Sequence, residues 1–171
     1  MTPDTLALLA KYNSRANTEM FKHISTLSKE EWEKEFPGYF KSVKALCNHI
    51  YIADFSWLKR FGTVRKFKYL SNPVLQNSFV VDSEVFDSID EYNAKRKELD
   101  ELMKELVSEL TLEDLGMDVT YKSLKGEMQT RNVAGSVMHV FNHATHHRGM
   151  ISLYLEFMGH SNDFNGLIAV V

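Results

Sequence analysis

Little in this sequence interrupts a helix or cross-links a chain. Only three of its 171 residues are proline and eight are glycine. Few points therefore force the backbone to break, which favours helices. A single cysteine, Cys47, cannot form an internal disulfide, so nothing points to an oxidising compartment. No apolar run approaches the roughly 18 residues needed to cross a bilayer as a helix. The segment Met1–Met20 has polar residues throughout and lacks the charged-then-apolar pattern of a secretory leader. The expectation is a cytoplasmic protein.

Basic clusters are scarce too. The net charge is −3, and the longest basic stretch runs only from Lys59-Arg60 through Arg65-Lys66-Phe67-Lys68. Nucleic-acid binders draw most of their affinity from phosphate contacts made by basic patches. That class is therefore disfavoured, and the stretch reads as a solvated helix end and loop. No repeat, low-complexity segment or linker is visible. The length suits one domain spanning residues 1–171.

What the chain does have is helical period. Leu9, Tyr12, Ala16, Met20, Ile24 and Leu27 recur at steps of three or four and predict a first helix from about Asp4 to Leu27. Ser28 with Glu31 has the capping-box pattern and should open a short helix that stops before Pro37-Gly38. Val43, Leu46, Ile50, Ala53, Trp57 and Phe61 predict a second long helix from about Ser42, with Gly62 as its stop. A third runs from near Ser88 to Leu110, and Lys95, Lys97, Glu98, Glu101, Lys104 and Glu105 form its solvated face. A fourth runs from about Asn132 to Met158, before Gly159.

A long connection, Thr63 to Asp87, separates the second and third helices; connections of that length often serve function. Before the fourth helix, Asp118-Val119-Thr120-Tyr121 and Glu127-Met128-Gln129-Thr130 flank Lys125-Gly126, a pattern that suits a short β-hairpin or a plain loop. Four consecutive amphipathic helices argue for an all-α four-helix bundle.

Seven histidines are present, and four crowd the last helix: His139, His143, His146 and His147. Each helical residue advances about 100°. The apolar positions Val133, Val137, Val140, Ala144, Ile151, Tyr154 and Met158 leave a gap that His147 fills, so His147 sits on the core seam. His143, one turn earlier, lies about 40° away at the seam's edge. His139 is further out, and His146 points about 100° from His147.

Two histidines at this one-turn spacing can bring their ring nitrogens to one metal ion, as zinc-binding helices do. His139 lies roughly 12 Å of helical rise from His147, too far for one straight helix to supply three ligands. A third ligand should come from a facing helix, where His49 on the second is the best candidate and His23 on the first its competitor, the pattern favouring His49 only modestly. The spacing leaves a structural alternative standing, a pair of hydrogen-bonded core histidines. A di-iron carboxylate site is excluded because no Glu-x-x-His pair occurs.

Other residues carry smaller expectations. Cys47 points away from His49 and reads as core. Asp54 could orient a ligating histidine, but a surface charge is preferred. Arg148 should pair with a carboxylate on another helix. Trp57, Tyr12 and Tyr154 read as packing; the role of His139 stays open, lining the site as a polar neighbour without touching metal being the minority reading.

The segment Asn142-His143-Ala144-Thr145-His146-His147-Arg148-Gly149-Met150-Ile151 resembles the closing signature of the DinB-like (damage-inducible) family, N-H-x-x-H-H-R-G-Q-I. Met150 stands where that signature has Gln. Ser42-Val43-Lys44-Ala45-Leu46-Cys47-Asn48-His49-Ile50, followed by Ala53-Asp54 and Trp57-Leu58, resembles the family's first histidine helix. The order of elements matches over nearly the whole chain. The resemblance implies a four-helix bundle with one divalent metal ion (nickel, zinc or iron) on His49, His143 and His147. It selects His49 over His23 and sets His146 aside. It also implies a homodimer, and for some members a thiol-dependent S-transferase or isomerase acting with a low-molecular-weight thiol on a small electrophile. A metal-dependent hydrolase and a non-catalytic metal-binding or stress-response bundle are the alternatives, because fold does not fix function.

Overall fold

The computed structural model describes residues 1–79, 83–123 and 125–171. Val80, Val81 and Asp82 of the long connection, and Leu124 between the hairpin strands, lie outside the described residues.

Four long helices form the bundle: α1 (Pro3–Ile24), α3 (Val43–Phe61), α4 (Ile89–Glu109) and α6 (Val133–Phe157). Two single-turn helices, α2 (Lys29–Glu33) and α5 (Leu112–Gly116), join them, with an antiparallel hairpin of β1 (Asp118–Lys122) and β2 (Met128–Asn132) before α6. The hairpin register pairs Thr120 with Thr130. Every long helix opens on a side-chain cap. The Thr2, Ser42 and Ser88 hydroxyls and the Asn132 amide oxygen each accept a first-turn backbone N–H. These bonds satisfy donors that the helix itself leaves orphaned. The predicted capping box of Ser28 and Glu31 is formed in both directions.

The principal neighbours of α1 are α4 and α6, and those of α3 are also α4 and α6, so α1 and α3 sit diagonally across the bundle. Met20, Ile24, Leu46, Ile50, Leu99 and Ile151 fill the centre with no exposed surface. Among the described residues, no helix is long and apolar enough to cross a membrane.

Gly62 does end α3, but its φ of −60° is one that any residue adopts. Its requirement is space, because a Cβ there would lie 3.0 Å from the Lys59 carbonyl oxygen and 3.2 Å from Leu70 Cδ1. Gly159 after α6 does need glycine's freedom, at φ +87°.

The long connection is packed cover for α3. The Phe79 ring lies 4.8 Å from Phe55 and the Phe86 ring 4.9 Å from Tyr51. The Tyr69 hydroxyl donates to the Leu58 carbonyl at 2.7 Å. This explains why α3 is buried nearly all round and not along one stripe.

That wide burial overturns the surface reading of Asp54. The residue is 1% exposed and accepts from Arg96 Nη1 at 2.8 Å. Arg96 also pairs with Asp100 at 2.8 Å, and Asp100 accepts from Asn17 Nδ2 at 2.9 Å. The Asn13 and Asn17 amide oxygens in turn accept from Arg148 Nη1. Arg148 therefore meets amides and not the expected carboxylate; the acid, Asp100, stands one residue further along the chain of contacts. One connected polar network thus ties α3, α4, α1 and α6 together. It contains two formal cations and two formal anions, so the buried charge balances.

Candidate metal centre

The α3–α6 packing brings His49 against the paired histidines of α6. His143 Nε2 lies 3.0 Å from His49 Nε2 and 3.1 Å from His147 Nε2. The ligand atoms of the three residues all fall within 4.8 Å of one another, close enough to hold one metal ion. His147 is buried, while His49 and His143 are partly open. The other histidines fall outside the cluster. His23 packs its ring 5.8 Å from Phe164. His146 is exposed, with its ring 4.8 Å from that of His147. His139 lies ring to ring 5.6 Å from His143, beside the cluster.

Burial, followed by the neighbouring histidines, holds His143 down to about 3 and His147 down to about 4. Both imidazoles are therefore neutral in ordinary buffers, the form that donates a lone pair to a metal. The contacts among them also fit a cation. A neutral ring nitrogen is either a donor or an acceptor. As a donor, His143 Nε2 could serve only one neighbour; as an acceptor, it would need a proton from each. A single ion placed on three lone pairs satisfies all of them.

Phe40, in the segment between α2 and α3, was not legible as a site residue. Its ring lies 4.2 Å from that of His49 and 5.1 Å from that of His147, so it covers one side of the cluster. Its carbonyl accepts from the Tyr154 hydroxyl at 2.7 Å, which pins the segment. Tyr154 thus packs, as expected, and also positions this cover. Cys47 is fully buried, with its thiol pushed up by burial, and takes no part in the site.

Beside His49 opens a cleft of about 370 Å³ lined by Tyr39, Phe40, Ser42, Lys44, Asn48 and Glu84 among others. The Lys44 ammonium is 3.0 Å from both Glu33 and Glu84, so its charge is already matched. The long connection supplies Glu84 and hydrogen-bonds Asn48 through the Val85 N–H at 2.6 Å. It therefore forms one wall of the approach to His49.

A four-helix bundle with a hairpin before its last helix, and three convergent histidines drawn from α3 and α6, defines a class of small histidine-cluster bundles. Within that class the chain belongs to the DinB family, whose model matches residues 1–164. It is similar to Protein DinB of Bacillus subtilis (strain 168), 24% identical over 163 residues, covering 90% of this chain and 86% of that protein. Two solved structures share the fold. One is a DinB-like protein from Bacillus cereus ATCC 10987, with a TM-score of 0.61, 20% identity, and coverage of 85% of this chain and 87% of that one. The other is a DinB-like protein from Bacillus subtilis, with a TM-score of 0.62, 15% identity, and coverage of 92% and 96%.

Proposed function

We propose that His49, His143 and His147 hold one divalent metal ion (nickel, zinc or iron) and that the protein is a metal-dependent transferase of the thiol S-transferase type. The observation that carries the metal reading is the convergence of three histidine ring nitrogens within 4.8 Å, two of them on imidazoles held neutral by burial. Three protein donors are fewer than the four of a closed structural zinc site, and this favours chemistry over a purely structural ion. When bound, the ion supplies a positive charge that lowers the pKa of a thiol or water placed beside it. The chain's own residues do the remaining work. His143 and His147 keep their lone pairs free of protons, Phe40 screens one side from water, and the cleft beside His49 admits a ligand.

The proposed reaction joins the thiol sulfur to an electrophilic carbon, expels that carbon's leaving group and releases the thiol proton to solvent. The same reading makes the chain a homodimer, which a solution mass of two chains would support. The test is a panel of low-molecular-weight thiols with a chlorodinitrobenzene-type electrophile, run on metal-loaded and metal-stripped protein. Metal-dependent transfer that disappears in His143→Ala supports the reading. Absence of transfer across the panel removes the transferase; ester hydrolysis by the same samples would put a hydrolase in its place.

A further inference from the structure

A second cleft, of about 490 Å³, lies at the start of α6, lined by Trp57, Tyr121, Arg131, Ser136 and His139 among others. It shares no lining residue with the cleft beside His49. Its link to the metal centre is His139, whose ring lies 5.5 Å from Trp57 on one side and 5.6 Å from His143 on the other.

Two aromatic rings form a corner in this cleft: Trp57 and Tyr121 meet edge-on at 5.1 Å and 66°. The Arg60 guanidinium lies against both, 4.9 Å from the Trp57 ring and 4.4 Å from the Tyr121 ring. Arg60 is half-buried, and among the described residues it has no ion pair and no side-chain hydrogen bond. Burial pushes its pKa down, and no carboxylate offsets that shift. Arg131 donates only to the neutral Thr130 carbonyl and Gln129 amide oxygen, both at 2.8 Å. The Trp57 indole N–H also lacks a hydrogen-bond partner among the described residues. No lining residue is acidic, and the positive end of the 25-residue helix α6 adds to the same field. The cleft's lining therefore combines an apolar corner with the Arg131 guanidinium, and Arg60, stacked on the rings of that corner, adds a second positive charge that no carboxylate neutralises. A buried or half-buried cation normally has an anion; here the protein does not supply it.

We infer that this cleft binds a small aromatic carboxylate, its ring against the Trp57–Tyr121 corner and its carboxylate toward Arg131, with the Arg60 guanidinium behind that corner adding to the positive field. Arg presents a planar fork that matches a carboxylate, and aromatic faces take a flat ring. Binding itself is independent of the metal. The further statement that such a ligand is a substrate group, held one histidine ring away from His143, rests on the transferase reading.

The test uses benzoate on metal-free full-length protein, followed through the two tryptophan indole N–H resonances, with Trp57→Phe to assign them. Benzoate should move the Trp57 resonance and leave that of Trp32, which is buried elsewhere in the core. Benzyl alcohol, of the same shape without the charge, should bind at least tenfold more weakly. Arg131→Gln, an exposed position that the fold tolerates, should weaken benzoate at least tenfold while thermal stability stays unchanged. The same benzoate affinity should persist in His143→Ala, so a failure of the metal centre cannot be mistaken for a failure of this cleft. Equal affinity for benzoate and benzyl alcohol, an unmoved Trp57 resonance, or unaltered binding in Arg131→Gln would each overturn the inference.

Discussion

Replacing Asp54 with alanine tests the buried network and a competing role for the same residue. Asp54 is fully enclosed and holds Arg96, itself 2% exposed. Removing one member of a buried pair typically costs about 3–5 kcal/mol, because the partner is left without its counter-charge. Arg96 retains Asp100, so the low end applies, about 3 kcal/mol. For a chain of this size each kcal/mol moves the melting temperature by about 2–4 °C, which gives a fall of roughly 6–12 °C. Urea unfolding followed by circular dichroism should show a lower midpoint with an unchanged slope. The double variant Asp54→Leu with Arg96→Met should recover most of the loss, since a well-packed apolar pair of similar volume is often as stable as the ions. Metal retention in Asp54→Ala should match that of the parent, because the carboxylate faces α4 and not a histidine. A stability change within about 0.5 kcal/mol would refute the network, since that is the range of an ordinary surface charge. Loss of metal with stability intact would instead make Asp54 an orienter of the ligands.

Metal-free protein should lose stability as pH falls below about 6.5, because the unfolded histidines take up protons there while His143 and His147 resist down to about 3 and 4; His143→Ala should flatten that slope in pH-dependent melts. Asp114, held by Arg65 and the Thr111 cap at about 2, stabilises the fold above the ordinary carboxylate pKa and loses that contribution as pH falls toward 2. Arg65 is more than one third exposed, so screening limits this contribution to about 1–2 kcal/mol, and Asp114→Asn should remove it at neutral pH but not at pH 2. Gly62→Ala forces a methyl group to 3.0 Å from the Lys59 carbonyl and should cost about 1–3 kcal/mol by thermal melt, although no glycine-only backbone angle is involved.

The long helices were legible because their signals are local. Ser42, Ser88 and Asn132 precede clear apolar periods, and each proves to be a cap. The hairpin was half legible: the turn residues showed, but alternation over five residues barely separates a strand from a loop. His147 was legible as a polar residue filling a slot in an apolar series, and His143 followed by spacing. The bringing together of His49 and not His23 was not legible from the residue pattern, since both border inward stripes; the family resemblance selected His49, and the packing of α3 against α6 brings it to the pair. Asp54, Arg96, Asn13 and Asn17 were missed for one reason. A polar residue on a helix is read as solvated unless its partner is known, and each of these has a partner on a different helix. Phe40 gave no signal at all, because a loop aromatic has no period to mark its direction.

The metal centre is tested most directly by elemental analysis of protein purified from metal-controlled medium, beside His49→Ala, His143→Ala, His147→Ala and His139→Ala. The three convergent nitrogens predict about one ion per chain in the parent and in His139→Ala, as expected for a single three-histidine site. They predict a large loss in each of the other three variants. Full retention of metal in any of those three would remove that histidine from the ligand set and contradict the site.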